Sequence, residues 1–181
     1  MNTYPSVLQA ASVRNVYERR SLTPILEPLH PTGDPNKNPV WIGDFPLHGP
    51  AHNNFCEILT LLLDAGADIE ADEINCYGGK PLHWASEHAP DAVALLLRRG
   101  ANVNSRNLRP DSQFFGMTLL IMNATQRNDC AEVTALLLAA GAEIESQDAA
   151  GKTSLDHALA RDLSRITQAL RSGRAAHTSK A

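Results

Sequence analysis

A five-residue phrase returns three times along this chain, as Gly66-Ala67-Asp68-Ile69-Glu70, Gly100-Ala101-Asn102-Val103-Asn104 and Gly141-Ala142-Glu143-Ile144-Glu145. Each copy follows a Leu triplet at the same offset: Leu61-Leu62-Leu63, Leu95-Leu96-Leu97 and Leu136-Leu137-Leu138. A unit of this size has too little apolar surface to close a core alone, so the Leu rows must pack against those of neighbouring units. The repetition therefore restricts the fold to a linear stack.

A second landmark lies upstream of each phrase. Gly43, Gly78, Gly116 and Gly151 each stand four residues before a Leu (Leu47, Leu82, Leu120 and Leu155), which separates successive units by 35, 38 and 35 residues. After the turn, Pro81 or Ser154 can open a helix at its first position. The following stretch carries apolar residues at helical spacing, Ile58, Leu61, Leu62, then Val93, Leu96, Leu97, then Val133, Leu136, Leu137. Gly100 and its counterparts suit the left-handed stop just past a helix. Leu62, Leu96 and Leu137 are each expected to be fully buried between outer helices.

Two units read Pro46-Leu47-His48 and Pro81-Leu82-His83, and the last reads Thr153-Ser154-Leu155-Asp156-His157-Ala158. Over residues 40–173 this pattern resembles the ankyrin repeat. The resemblance implies an all-α, ankyrin-type repeat solenoid of helix-turn-helix units with β-turn or hairpin fingers. Four repeats are expected at about 40–74, 75–112, 113–147 and 148–173. It also implies a role in binding another protein through finger tips and the concave groove. Residues 1–39 are expected to hold a helix starting after Ser6, with Val7-Leu8-Gln9-Ala10-Ala11 resembling the inner helix of a degenerate repeat, and then a loop broken by Pro24, Pro28, Pro31, Pro35 and Pro39. In the last unit Arg165 and Gln168 replace apolar residues, as an outward cap requires, and residues 174–181 are expected to be a disordered tail.

Composition narrows the function classes. A formal net charge of -4 without a basic stripe gives no electrostatic reason to expect nucleic acid. The longest apolar run, Ile58 to Leu63, is interrupted by Thr60 and far too short to cross a bilayer. The first residues show no basic region followed by an apolar segment, so no secretory signal is expected. Cys56, Cys76 and Cys130 have no metal-type spacing, and an odd count favours reduced thiols in the cytoplasm or nucleus. Cys56 and Cys130 fall at outer-helix starts and are expected to pack, leaving Cys76 as the accessible thiol. A monomer without cofactor is expected.

The resemblance places the finger tips at Trp41 and Ile42, Cys76 and Tyr77, Phe114 and Phe115 (with Met117 just beyond), and Ala149 and Ala150. Aromatics on three consecutive fingers match the composition of interface anchors. The alternative is that Trp41 and Phe115 fold back as local core. The third finger is enlarged, from Ser105 to Phe115, and a further surplus lies around Gln126-Arg127-Asn128-Asp129. Insertions in repeats map to loops, where function concentrates.

His48 and His83 occupy the family's Pro-Leu-His position, which implies a scaffold role. His52, Glu87, His88 and Arg161 fall five or six residues after the repeated Leu, facing the concave groove as partner-binding candidates. His52, Glu87 and His88 can approach across adjacent units closely enough to share a proton or a metal, but their spacing matches no recognised metal motif, so no metal is assigned. No phosphate loop, nucleophile elbow or His-Glu-x-x-His helix occurs, and adjacent Asp156 and His157 diverge by about 100° on a helix. No catalytic residue is assigned. The alternative function is a repurposed scaffold that binds or transforms a small molecule in the groove, which requires a closed apolar pocket lined by Trp84, Phe114, Phe115 and His88.

Overall fold

The computed structural model describes residues 46–73 and 78–178. Four helix pairs follow one another there: α1 (His48–His52) with α2 (Cys56–Asp64), α3 (Pro81–Ser86) with α4 (Pro90–Arg98), α5 (Leu119–Thr125) with α6 (Ala131–Ala139), and α7 (Ser154–Ala160) with α8 (Ser164–Thr178). The short helices form an inner row in which α1 packs on α3, α3 on α5 and α5 on α7. The longer ones form an outer row in the order α2, α4, α6, α8. Among the described residues strand pairing is limited to isolated antiparallel bridges, Arg106 with Thr118 and Gln147 with Thr153, at the bases of two fingers. The expected all-α repeat stack is the observed one.

Local chemistry sets the helix ends. Pro81 and Pro90 open α3 and α4, where a missing N–H costs nothing. Thr153 caps α7 reciprocally with Asp156: the Asp156 N–H donates to Thr153 Oγ1 at 3.3 Å and the Thr153 N–H donates to the Asp156 carboxylate at 2.8 Å. At the end of α4 the Gly100 N–H donates to Leu97 O at 3.1 Å and the Ala101 N–H to Leu96 O at 3.0 Å. This pairing of the last carbonyls requires the left-handed backbone that Gly100 adopts at φ 94°.

One core runs the length of the stack. Leu47, Leu82 and Leu120 from the inner row meet Leu59, Leu96 and Leu137 from the outer row, all buried. Leu96 and Leu137 are buried as expected, whereas Leu62 is only half-buried. The reason is position: α2 packs against α1 and α4 with no further described helix beyond it, while α4 and α6 each lie between two outer helices. Leu59 takes the fully buried place in α2.

At the C-terminal end Ile166 and Leu170 turn inward and Arg165 and Gln168 face solvent, the polar outer face expected of a cap. Here the structure corrects the sequence reading, because α8 runs to Thr178 without the break expected at residue 174. Gly173 lies against Leu138, where a Cβ would come within 2.7 Å of its methyl, and Arg174 pairs with Glu145 at 2.6 Å. Helix-favouring Arg174, Ala175 and Ala176 then continue the helix. The helix and degenerate repeat expected within residues 1–39 lie outside the described residues.

Candidate functional site

The loop joining each inner helix to its outer helix carries a polar residue two positions before the outer helix begins: Asn54, His88 and Asp129 in the first three pairs. Two of the three staple one repeat to the next. Asn54, at φ 59°, accepts the Ala92 N–H at 2.8 Å and donates to Asp91 at 3.0 Å, which caps α4 from the preceding repeat. Asp129 accepts the Arg165 and Ile166 N–H groups at 2.8 Å each and caps α8. His88 does otherwise. Its ring stands edge-on to His52 with centroids 4.6 Å apart, and Cys130, the residue before α6, makes no cap of its own.

His52, the last residue of α1, also meets the edge of Trp84 from α3 at 5.9 Å, and its Nδ1 lies 3.7 Å from Glu87 Oε2. The stack thus brings together His52, Glu87 and His88 from adjacent repeats. Arg161, at the C-cap of α7, is exposed and takes no part in this cluster. Burial, with the neighbouring His88 adding to it, lowers the pKa of His52. Burial raises that of Glu87 to about 7. Both shifts favour neutral forms, so the 3.7 Å approach of His52 and Glu87 is not a fully charged ion pair at neutral pH.

The Glu87 shift has a stability consequence of definite sign. In the unfolded chain this carboxyl titrates near 4.5, and in the fold near 7. Between those values the folded state holds more protons, so its contribution to stability falls as pH rises and is lost above the folded pKa. Linkage gives about 3 kcal/mol for a shift of this size, which partial exposure of the carboxyl reduces to about 1–2 kcal/mol. Glu87→Gln is therefore expected to match wild type near pH 4.5 and to exceed it by about 1–2 kcal/mol near pH 8 in urea melts with chelator present. His52, with its lowered pKa, loses stability as pH falls below 6.5. The difference between variant and wild type isolates Glu87 from that opposing slope.

His48 and His83 sit in the scaffold positions expected of them. His48 Nε2 lies 3.2 Å from Gly79 O, and His83 Nδ1 accepts the Lys80 N–H at 3.1 Å. Burial, with Lys80 and His48 nearby, depresses His83 to about 3 and keeps it neutral. Asp156 and His157 diverge as expected: Asp156 caps its own helix and His157 bonds Asp148 at 2.7 Å. Cys56 and Cys130 are half-buried against the core.

The enlarged third finger is held by its own backbone. The Asn107 N–H donates to Met117 O at 3.0 Å and the Gly116 N–H to Asn107 O at 2.7 Å, with Asn107 buried between them. Arg106 ties the finger to the next by donating to Gly116 O at 2.8 Å and Gln147 O at 2.7 Å. On this frame Phe115 is 42% exposed, so it is not folded back as local core, and Leu108 is 70% exposed. Phe114 and Met117 are half-buried. Leu108 was missed in the sequence reading, although a lone Leu between Asn107 and Arg109 in a polar finger is the signal that marks it. Trp41, Ile42, Cys76 and Tyr77 lie outside the described residues. Beneath the finger a cleft of about 270 Å³ is lined by Asp72, Glu73, Lys80, Arg106, Leu108 and Arg109, together with the Gly79 backbone.

The family model for ankyrin repeats, in three copies, matches residues 10–107, more than half of the chain. The chain belongs to the ankyrin repeat family. In this ankyrin repeat protein the match begins within the segment before residue 46, and the pairs α5–α6 and α7–α8 continue the same arrangement beyond residue 107. Over 112 residues it is 33% identical to the E3 ubiquitin-protein ligase KEG of Arabidopsis thaliana, a stretch covering 60% of this chain and 7% of the ligase. Ankyrin repeats are a general protein-interaction module. No helix among the described residues is long and apolar enough to cross a membrane.

Proposed function

We propose that this ankyrin repeat array docks a protein partner on its finger tips and concave groove, with Phe115 and Leu108 as apolar anchors on the third finger. The carrying observation is the exposure of both side chains, 42% and 70%, on a finger whose backbone hydrogen bonds are already made within the array. A prearranged frame loses little conformational entropy on binding, so burial of the two side chains appears as affinity. By their positions in the repeated sequence alone, Trp41, Ile42 and Tyr77 are assigned to the same partner-binding set, and Phe114, Met117, His52, Glu87, His88 and Arg161 are assigned to its flanks and groove. The small-molecule alternative needs a closed apolar pocket, whereas five of the seven residues lining the cleft beneath the third finger are of charged type: Asp72, Glu73, Lys80, Arg106 and Arg109. The ligase activity of the similar plant protein is not carried over, given that the matched stretch is 7% of its length. The proposed setting is the cytoplasm or nucleus, in keeping with the free thiols of Cys56 and Cys130, and the proposed state is a monomer.

The test pairs a thermal melt with titration of a partner recovered by pull-down. Phe115→Ala is expected to weaken affinity by about 2 kcal/mol, roughly thirtyfold, while the melting midpoint stays near that of wild type. A Trp41/Tyr77/Phe115 triple-Ala variant is expected to lose more. If Phe115→Ala lowers the melting midpoint by many degrees and leaves the affinity of the folded fraction unchanged, the anchor assignment is wrong.

A further inference from the structure

We propose that His52, Glu87 and His88 form a binding site for one zinc-class divalent transition-metal ion, held between the first two described repeats. This site goes beyond the docking role and does not depend on it. The three side chains each offer a ligand atom, and these atoms lie within 4.8 Å of one another. With bonds of about 2.0–2.2 Å to nitrogen and oxygen, two ligand atoms of a tetrahedral zinc ion sit about 3.3–3.5 Å apart. His52 Nδ1 and Glu87 Oε2, at 3.7 Å, already stand close to that separation, too far for a hydrogen bond yet close enough for a shared ion. Closing the set needs a movement of about 1 Å. Exposed His88, on the loop after α3, can supply it.

Three further observations point the same way. His52 Nδ1 is shielded from solvent and has no hydrogen-bond partner among the described residues, a condition that native structures rarely leave unexplained. His88 occupies the position where Asn54 and Asp129 staple the following repeat, but its ring is turned to His52. The edge contact with Trp84 fixes the plane of the His52 ring, as an orienting partner outside the ligand set would. Two imidazoles and one carboxylate suit zinc and its first-row neighbours better than magnesium or calcium, which prefer all-oxygen sets. Three protein ligands leave a fourth position for water or an external donor.

The test is calorimetric titration of zinc chloride into the full chain, produced without a His tag and stripped with chelator. One equivalent is expected to bind saturably, and His88→Ala and Glu87→Gln are each expected to weaken binding by about tenfold or more. Circular dichroism melts of both variants without metal control for folding; the ion is expected to raise the midpoint of wild type but not of His88→Ala. Loading with cobalt(II) is expected to give the visible bands of a tetrahedral nitrogen–oxygen site with no thiolate charge-transfer band. Absence of saturable zinc binding, binding unchanged by both substitutions, or a thiolate band showing the ion on cysteine would each overturn the proposal.

Discussion

Leu96→Ala is expected to destabilise the array by about 2–5 kcal/mol, the combined effect of lost burial and of a cavity that its neighbours cannot fill. Leu96 is fully buried in α4, the outer helix that lies between α2 and α6, so its side chain serves two repeat interfaces. In a stack stabilised by nearest-neighbour contacts, weakening a central unit uncouples both sides, and the urea transition is expected to broaden as well as shift. Leu62→Ala provides the contrast. That side chain occupies the equivalent position in α2 but is half-buried, so its removal is expected to cost about 1 kcal/mol. A loss below about 0.5 kcal/mol for Leu96→Ala would remove Leu96 from the core.

Truncation after Ala150 is expected to have a larger effect still, because it deletes α7 and α8 together with the buried Ala158, Leu163, Ile166 and Leu170. Burial of three large aliphatic side chains contributes on the order of 5–9 kcal/mol at about 1.5–3 kcal/mol each. The cut also uncovers Leu137, Val133 and Leu120 on the face that α7 and α8 had closed. Exposed apolar rows of this kind associate, so light scattering is expected to report aggregation. A soluble, monomeric truncation would contradict the capping role of the last repeat. Removal of residues 174–181 alone is expected to be mild: it severs the exposed Arg174–Glu145 pair, and such pairs contribute about 0–1 kcal/mol.

Repeat length, helix pairs, their stops and the rows of Leu that form the core were all legible in the chain before any contact was known. These are legible because they are written in contiguous residues: a turn glycine, a Pro or a capping Thr, apolar spacing near 3.6, and a glycine stop. Arg165 and Gln168 announced the C-terminal cap in the same way, by breaking a local pattern. The continuation of α8 past residue 174 escaped that logic, since small and polar residues at a chain end read as a tail until packing of Gly173 on Leu138 and the pair with Glu145 hold them. Packing between repeats, by contrast, sets Leu62 at an edge while Leu96 is enclosed, stands Phe115 and Leu108 clear of the third finger, and makes Asn54 and Asp129 staple repeats from which His88 is released. It also set the raised pKa of Glu87, which depends on what surrounds the carboxyl rather than on its neighbours in the chain. The contact of His52 with Glu87 and His88 belongs to the same class: these residues are 35 and 36 positions apart, and a stack places side by side residues that differ by one repeat. Periodicity shows that such residues are equivalent in their own repeats; whether their rings and carboxyls meet depends on the offset and twist between repeats, which side-chain packing across the interface determines.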